Sequence, residues 1–197
     1  MDFVEVFNKF RKEYDRMSFD ELKSFYNFLY SYFPMQRHFN FDRVLMFFNF
    51  CSSSLRKLIV FELGGWDGEL ACKMIAMIPE IVRWDNYEIC DNALKYSNHK
   101  DSKYYPIDLN KPIQEYEFEG EYNVGIFSHV LEHMKYHEIE KLFNKLNLRY
   151  IYIDCPFSSD WNNYYWTHIL EKRPDEILIN RGYTKFFMDG DISFWKK

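Results

Sequence analysis

Residues 61–71 read "FELGGWDGELA". They close an apolar run, "KLIVFEL" (57–63), with an acidic residue, Glu62, and open a segment, "DGELACKMIAMI", that reads as a helix ending before Pro79. A short buried strand, a glycine turn and a helix bring backbone close to a ligand, because glycine bends tightly and carries no side chain. Trp66 stands in that turn where many such turns carry glycine. A dinucleotide fingerprint, GxGxxG, starting at Gly64 would need glycine at 66 and 69, where the chain has Trp66 and Glu69. Glu62, one turn earlier, also sits poorly beside a pyrophosphate. It suits a ligand that presents an ammonium group.

The alternation of strands and helices continues downstream. "VRWDNYEIC" (82–90), "KYYPID" (103–108), "YNVGIFS" (122–128) and "RYIYIDCPF" (149–157) read as strands. "HEIEKLFNKLN" (137–147) and "RPDEILINRGY" (173–183) read as helices, the second with Pro174 near its start and Gly182 past its end. The tail, "YTKFFMDGDISFWKK", is two alternating runs joined at Asp189-Gly190, a hairpin signal. Upstream, "MSFDELKSFYNFLYSYFP" (17–34) has a capping box in Ser18 and Glu21, helical spacing at Phe25, Phe28, Leu29 and Phe33, and Pro34 at its close. "FDRVLMFFNF" (41–50) continues as helix, and "CSSSLRK" connects it to the first strand. The expected architecture is α/β: a Rossmann-like, seven-stranded, mostly parallel sheet with a C-terminal antiparallel hairpin, plus an N-terminal helical cap. Residues 1–53 are assigned to the cap or lid and 54–197 to the sheet domain.

At 197 residues the chain is long enough for one substantial core, and 47% hydrophobic with 21% aromatic content excludes a disordered polar chain. The net charge of −5 disfavours a duplex nucleic-acid partner, which a basic face would hold, without removing a local patch. Cys51, Cys72, Cys90 and Cys155 form no CxxC pair and read as reduced thiols. The chain has no 18-residue apolar run, and its N-terminus carries charges where a signal peptide needs an apolar core. A soluble, cytoplasmic protein with no membrane partner is expected; the oligomeric state is left open.

Taken with the stretches that follow it, "FELGGWDGELA" resembles motif I of class I S-adenosylmethionine-dependent methyltransferases. The departure is Trp66 in place of the middle glycine, in a "GGxDG" turn that related small methyltransferases also show. The resemblance implies S-adenosyl-L-methionine as cofactor and S-adenosyl-L-homocysteine as product, held by Glu62 and the turn Gly64, Gly65, Trp66, Asp67 and Gly68. Glu88, followed by Ile89, falls 20 residues beyond Gly68 and would accept the ribose hydroxyls, with Asp85 as its competitor. In "YYPIDLN", Asp108 would accept from the adenine amino group and Leu109 would supply apolar contact. In "YNVGIFSHVLEHM", Ser128 and His129 would face cofactor and acceptor. Trp66 either packs on the following helix or lines the pocket, where its π face suits a cation.

Methyl transfer requires an aligned acceptor and often a base, for which His129, His133 and His168 are the candidates. His129, Glu132 and His133 have spacing i, i+3, i+4. With His168 they resemble the metal-dependent methyltransferases with an ExxEH stretch; the preferred assignment is nonetheless no metal. "DCPF" (154–157) resembles a DPPF-type motif but follows the wrong strand, so it is read as a strand end. Trp161, Tyr164, Tyr165 and Trp166 are candidates for the acceptor pocket, and Tyr26, Tyr30 and Tyr32 for a lid. The expected activity is methyl transfer to oxygen or nitrogen of a small-molecule or sugar-like acceptor. The alternatives are an RNA 2′-O or base methyltransferase and a non-catalytic S-adenosylmethionine-binding protein, with an NAD-dependent oxidoreductase as the remote rival.

Overall fold

The computed structural model describes residues 16–32, 40–91, 100–109, 111–118, 120–156, 170 and 172–197, without the side chains of 29–32. The strands are β1 (Leu58–Leu63), β2 (Ile81–Glu88), β3 (Ser102–Pro106), β4 (Val124–Ser128), β5 (Tyr150–Asp154), β6 (Thr184–Asp189) and β7 (Ile192–Lys196). They form one sheet in the order β3-β2-β1-β4-β5-β7-β6. β1 to β5 pair in parallel, and β7 runs against both β5 and β6. The hairpin expected at Asp189-Gly190 is the β6–β7 turn, where Gly190 takes φ +59°. The order reverses between β1 and β4, so the crevice for a ligand opens beyond the carboxyl ends of those two strands.

Helices cover both faces. α1 (Phe19–Tyr32) and α2 (Phe41–Ser52) precede β1, and α3 (Glu69–Met77), α4 (Tyr136–Lys145) and α5 (Asp175–Asn180) follow β1, β4 and β5. One face packs Phe61, Phe127 and Ile151 against Leu142 and Phe143 of α4 and Leu178 of α5. The other packs Val60, Trp84 and Tyr152 against Phe47 and Phe48 of α2 and Leu70 and Met74 of α3. Strands buried on both faces read as continuous apolar runs, which is what β1 and β5 show. Among the described residues no helix is long and apolar enough to cross a membrane.

The two N-terminal helices have different roles. α2 is part of the sheet-covering layer: the Phe47 ring lies 5.8 Å from that of Tyr152 and 5.2 Å from that of Phe194. α1 starts at the capping box read from the sequence, with Ser18 Oγ donating to Glu21 Oε2 at 2.7 Å and the Ser18 N–H to the same oxygen at 2.8 Å. Its buried Leu22 and Phe25 form a separate small cluster with Tyr26 and Ile89, at the carboxyl end of β2. Lys23 ties α1 to Asp91 at 2.6 Å.

Because α2 seals one sheet face, Phe47→Ala should lower unfolding free energy by about 3–5 kcal/mol, measured by urea denaturation. A loss under about 1 kcal/mol, the scale of a surface change, would show that α2 is an appendage.

Candidate functional site

The turn after β1 is built around a buried carboxylate. Glu62 lies beneath it and accepts from Trp84 Nε1 of β2 at 2.8 Å. A Cβ placed on Gly65 would fall 2.4 Å from Glu62 Oε2 and 2.6 Å from Asn86 Oδ1, so no other residue fits there. The Gly65 N–H donates to Asn86 Oδ1 at 3.2 Å. Gly64 takes φ +76°, and its N–H reaches the Tyr87 carbonyl at 2.8 Å. Trp66 takes φ +49°, a left-handed conformation that explains why glycine is usual at this place. Asp67 Oδ1 accepts the N–H of Glu69, the first residue of α3, at 3.0 Å, and Gly68 between them is the N-cap. Burial pushes Glu62 up from 4.5 to about 8, against the lowering effect of the Trp84 bond; Glu88 and Asp67 add to the rise.

The crevice beyond the turn is walled by Gly64, Glu88, Ile89, Asp108, Leu109 and His129, all expected from the sequence. His133 and Tyr26 also reach it. Glu88 is buried and accepts three backbone N–H groups: Trp66 at 2.9 Å, Ile89 at 2.7 Å and Cys90 at 3.0 Å. Burial raises its pKa, and these donors offset part of the rise. The Cys90 thiol, a weak donor, is a fourth partner, and it is the one that a ligand hydroxyl would most readily displace from the carboxylate. Asp108 comes from the segment after β3, where the Tyr116 hydroxyl clasps its main chain, 2.9 Å from both the N–H and the carbonyl. Asp85, the competitor of Glu88, is wholly buried away from the crevice. It accepts from Arg83 Nε at 3.0 Å and from the Tyr122 hydroxyl at 2.6 Å.

His129 carries φ +52°; it and Trp66 are the two non-glycine residues with positive φ among those described. Its Nδ1 lies 3.6 Å from Glu132 Oε1 and its Nε2 3.5 Å from Asp154 Oδ2. These are ion-pair separations, longer than good hydrogen bonds. Burial opposes the imidazolium, but Asp154 and then Glu132 outweigh it and push His129 up to about 10. Solvent reaches 41% of the side chain and screens part of that attraction. His133 meets Tyr26 edge-on, with ring centroids 6.4 Å apart.

The helical turn that would align His129, Glu132 and His133 is not formed. His129 is left-handed, and only Leu131–His133 forms a 3-10 turn. Among the described residues no group of three or more His, Cys, Asp or Glu is placed to hold a metal. His168, Trp161, Tyr164, Tyr165 and Trp166 lie outside the described residues, as do the side chains of Tyr30 and Tyr32. Glu62, Gly65, Trp66, Asp67, Gly68 and Ser128 support the crevice without forming its wall. Leu22, Tyr87, Ile107 and Val130 line it without having been singled out. Tyr87, Ile107 and Val130 are the apolar neighbours of Glu88, Asp108 and His129, and that adjacency was the available signal.

The sequence matches no family model and no curated protein. Solved structures do match. Magnesium protoporphyrin IX methyltransferase from Synechocystis PCC 6803, with S-adenosylhomocysteine bound, aligns with a TM-score of 0.59 at 14% identity, over 96% of this chain and 99% of that one. The N-methyltransferase NodS from Bradyrhizobium japonicum WM9 aligns at 0.55 and 11% identity, over 82% and 98%. Phosphoethanolamine N-methyltransferase 2 from Haemonchus contortus, in complex with S-adenosyl-L-methionine, aligns at 0.56 and 13% identity, over 88% of this chain and 44% of that one. The chain has the class I methyltransferase fold.

The raised Glu62 gives a signed pH effect. The native state binds this proton more tightly than the unfolded chain, so its contribution is fully present below about 4.5 and fades as pH rises through about 8. Unfolding midpoints of the native chain should therefore fall relative to Glu62→Gln between about pH 5 and pH 9; parallel curves would refute a proton held there. For His129, imidazole NMR should show the doubly protonated ring persisting well above 6.5, and Asp154→Asn should bring its midpoint down. An ordinary titration in the native chain would remove the carboxylate clamp.

Proposed function

We propose that the chain is an S-adenosylmethionine-dependent methyltransferase acting on oxygen or nitrogen of a small-molecule or sugar-like acceptor. The observation that carries this reading is that Glu88 and Asp108, from successive strand ends, open into one crevice at the β1/β4 reversal, with Ile89 and Leu109 beside them. The crevice fits an adenosyl group with no phosphate. Acids rather than anion-binding donors face it, and a Cβ on Gly64 would stand 2.9 Å from Val130, so the turn keeps the space that glycine opens.

Glu88 would accept the ribose hydroxyls, Asp108 the adenine amino group, and Ile89 and Leu109 would flank the base. Gly64 and the main chain around His129 would face the methionine end, with Glu62, Gly65, Trp66, Asp67, Gly68 and Ser128 holding that end in shape. The bound cofactor would supply an electrophilic methyl group on a positively charged sulfur. His133 is the better candidate base, since it lines the crevice and His129 is engaged by Glu132 and Asp154. His129 would position the site through its charge, and His168 is kept as a further candidate at the acceptor end. Within the N-terminal cap assigned to 1–53, the lid role falls to α1, whose Leu22 and Tyr26 close one side of the crevice.

Isothermal titration should show S-adenosylmethionine and S-adenosylhomocysteine binding and NAD failing to bind. Glu88→Ala should weaken the homocysteine product by about 1.5–3 kcal/mol, roughly 10- to 150-fold in Kd, with Glu88→Gln losing less. Binding of NAD in preference to either sulfur compound would overturn the reading.

A further inference from the structure

The acceptor end of the crevice has a charge that selects among acceptors, and the inference from it rests on the methyltransferase reading above. Glu132 and Asp154 are both buried, at 2% and 3% exposure, one on each side of His129. Glu132 Oε2 has no hydrogen-bond partner among the described residues. Asp154 has one further polar neighbour, the Asn40 side-chain amide at 3.4 Å, which is neutral. With His129 protonated or not, the three groups carry a formal charge of −1 or −2. The crevice wall adds Glu88 and Asp108 and contains no lysine or arginine among the described residues. Basic side chains on the flanking segments are engaged elsewhere: Lys23 with Asp91, Arg43 with Asp189, and Arg173 with Asp175 and Asp191.

We infer that the acceptor is an amine that arrives as an ammonium group, and that Glu132 and Asp154 are positioning residues that select it through the field they set around His129. A carboxylate or phosphate at this end would meet the net negative formal charge of His129, Glu132 and Asp154 in a partly dry site, where such repulsion is screened least. In the transfer, the ammonium first loses one proton to His133, which passes it to solvent. Its lone pair then forms the nitrogen–carbon bond while the carbon–sulfur bond breaks and leaves its electron pair on sulfur. A methylated ammonium and the neutral thioether result, so one positive charge leaves the site as the released proton.

Two aza analogues of S-adenosylhomocysteine test this, each with a short alkyl arm in place of the methyl group, one ending in an ammonium and the other in a carboxylate. The native chain should bind the ammonium arm at least about tenfold more tightly. Glu132→Gln and Asp154→Asn should each narrow that ratio several-fold, and a ratio between two ligands is insensitive to partial unfolding. Equal affinity for the two arms, preference for the carboxylate arm, or a ratio that neither variant changes would overturn the inference. Failure of S-adenosylhomocysteine itself to bind would instead defeat the donor assignment on which it rests.

Discussion

The architecture of the site depends on a carboxylate buried under a turn. Placing Glu62 out of water is costly unless it is bonded, and Trp84 of the neighbouring strand supplies the bond. The consequence reaches upward: the space over Glu62 admits only a glycine at 65. The turn is then held from β2 at two heights, by Asn86 on Gly65 and by Glu88 on Trp66. One strand thus determines both the shape of the turn and the position of the acid that faces the crevice. Glu62, Asp67 and Glu88 gather three acids beneath the turn, and backbone amides and an indole N–H, rather than lysine or arginine, hold them there.

Much of this was legible in the sequence because the determinants are local. Each strand read as an apolar run bounded by turn residues and was found in place, as were the hairpin at Asp189-Gly190 and the capping box at Ser18 and Glu21. Alternation with right-handed crossovers leaves few arrangements, and the observed order β3-β2-β1-β4-β5-β7-β6 selects one of them. Glu88, Asp108 and His129 reach the crevice because residues at the carboxyl ends of parallel strands do so whatever their neighbours.

What was not legible depends on contacts distant in sequence. Asp85 and Glu88 are both acids near the end of β2, and period-2 alternation gives them opposite faces without saying which face holds the crevice. Arg83 and Tyr122 decide it by engaging Asp85. The spacing of His129, Glu132 and His133 suits a helix only if the backbone is helical from its first residue, and the left-handed φ at His129 breaks that condition. Asp154 took its role from pairing opposite Ser128 across β4 and β5, which places it beside His129. No motif at 154–157 announces that pairing.

The two ends of the crevice are therefore built by different means. The end proposed for the nucleoside uses strand termini and main-chain donors, which the sheet itself positions. The end proposed for the acceptor draws on the left-handed His129, a 3-10 turn, the end of β5 and α1, and its polar side chains, His129, Glu132 and Asp154, are not members of the apolar core. Structures with 11–14% identity can therefore share the first while differing in the second, because fold places a cofactor crevice and side chains choose what enters it. In this chain that choice is expressed as charge. Buried acids are costly to fold around unless they are paired; Glu132 and Asp154 share one histidine between them, and an ammonium group on the acceptor would offset the remaining charge.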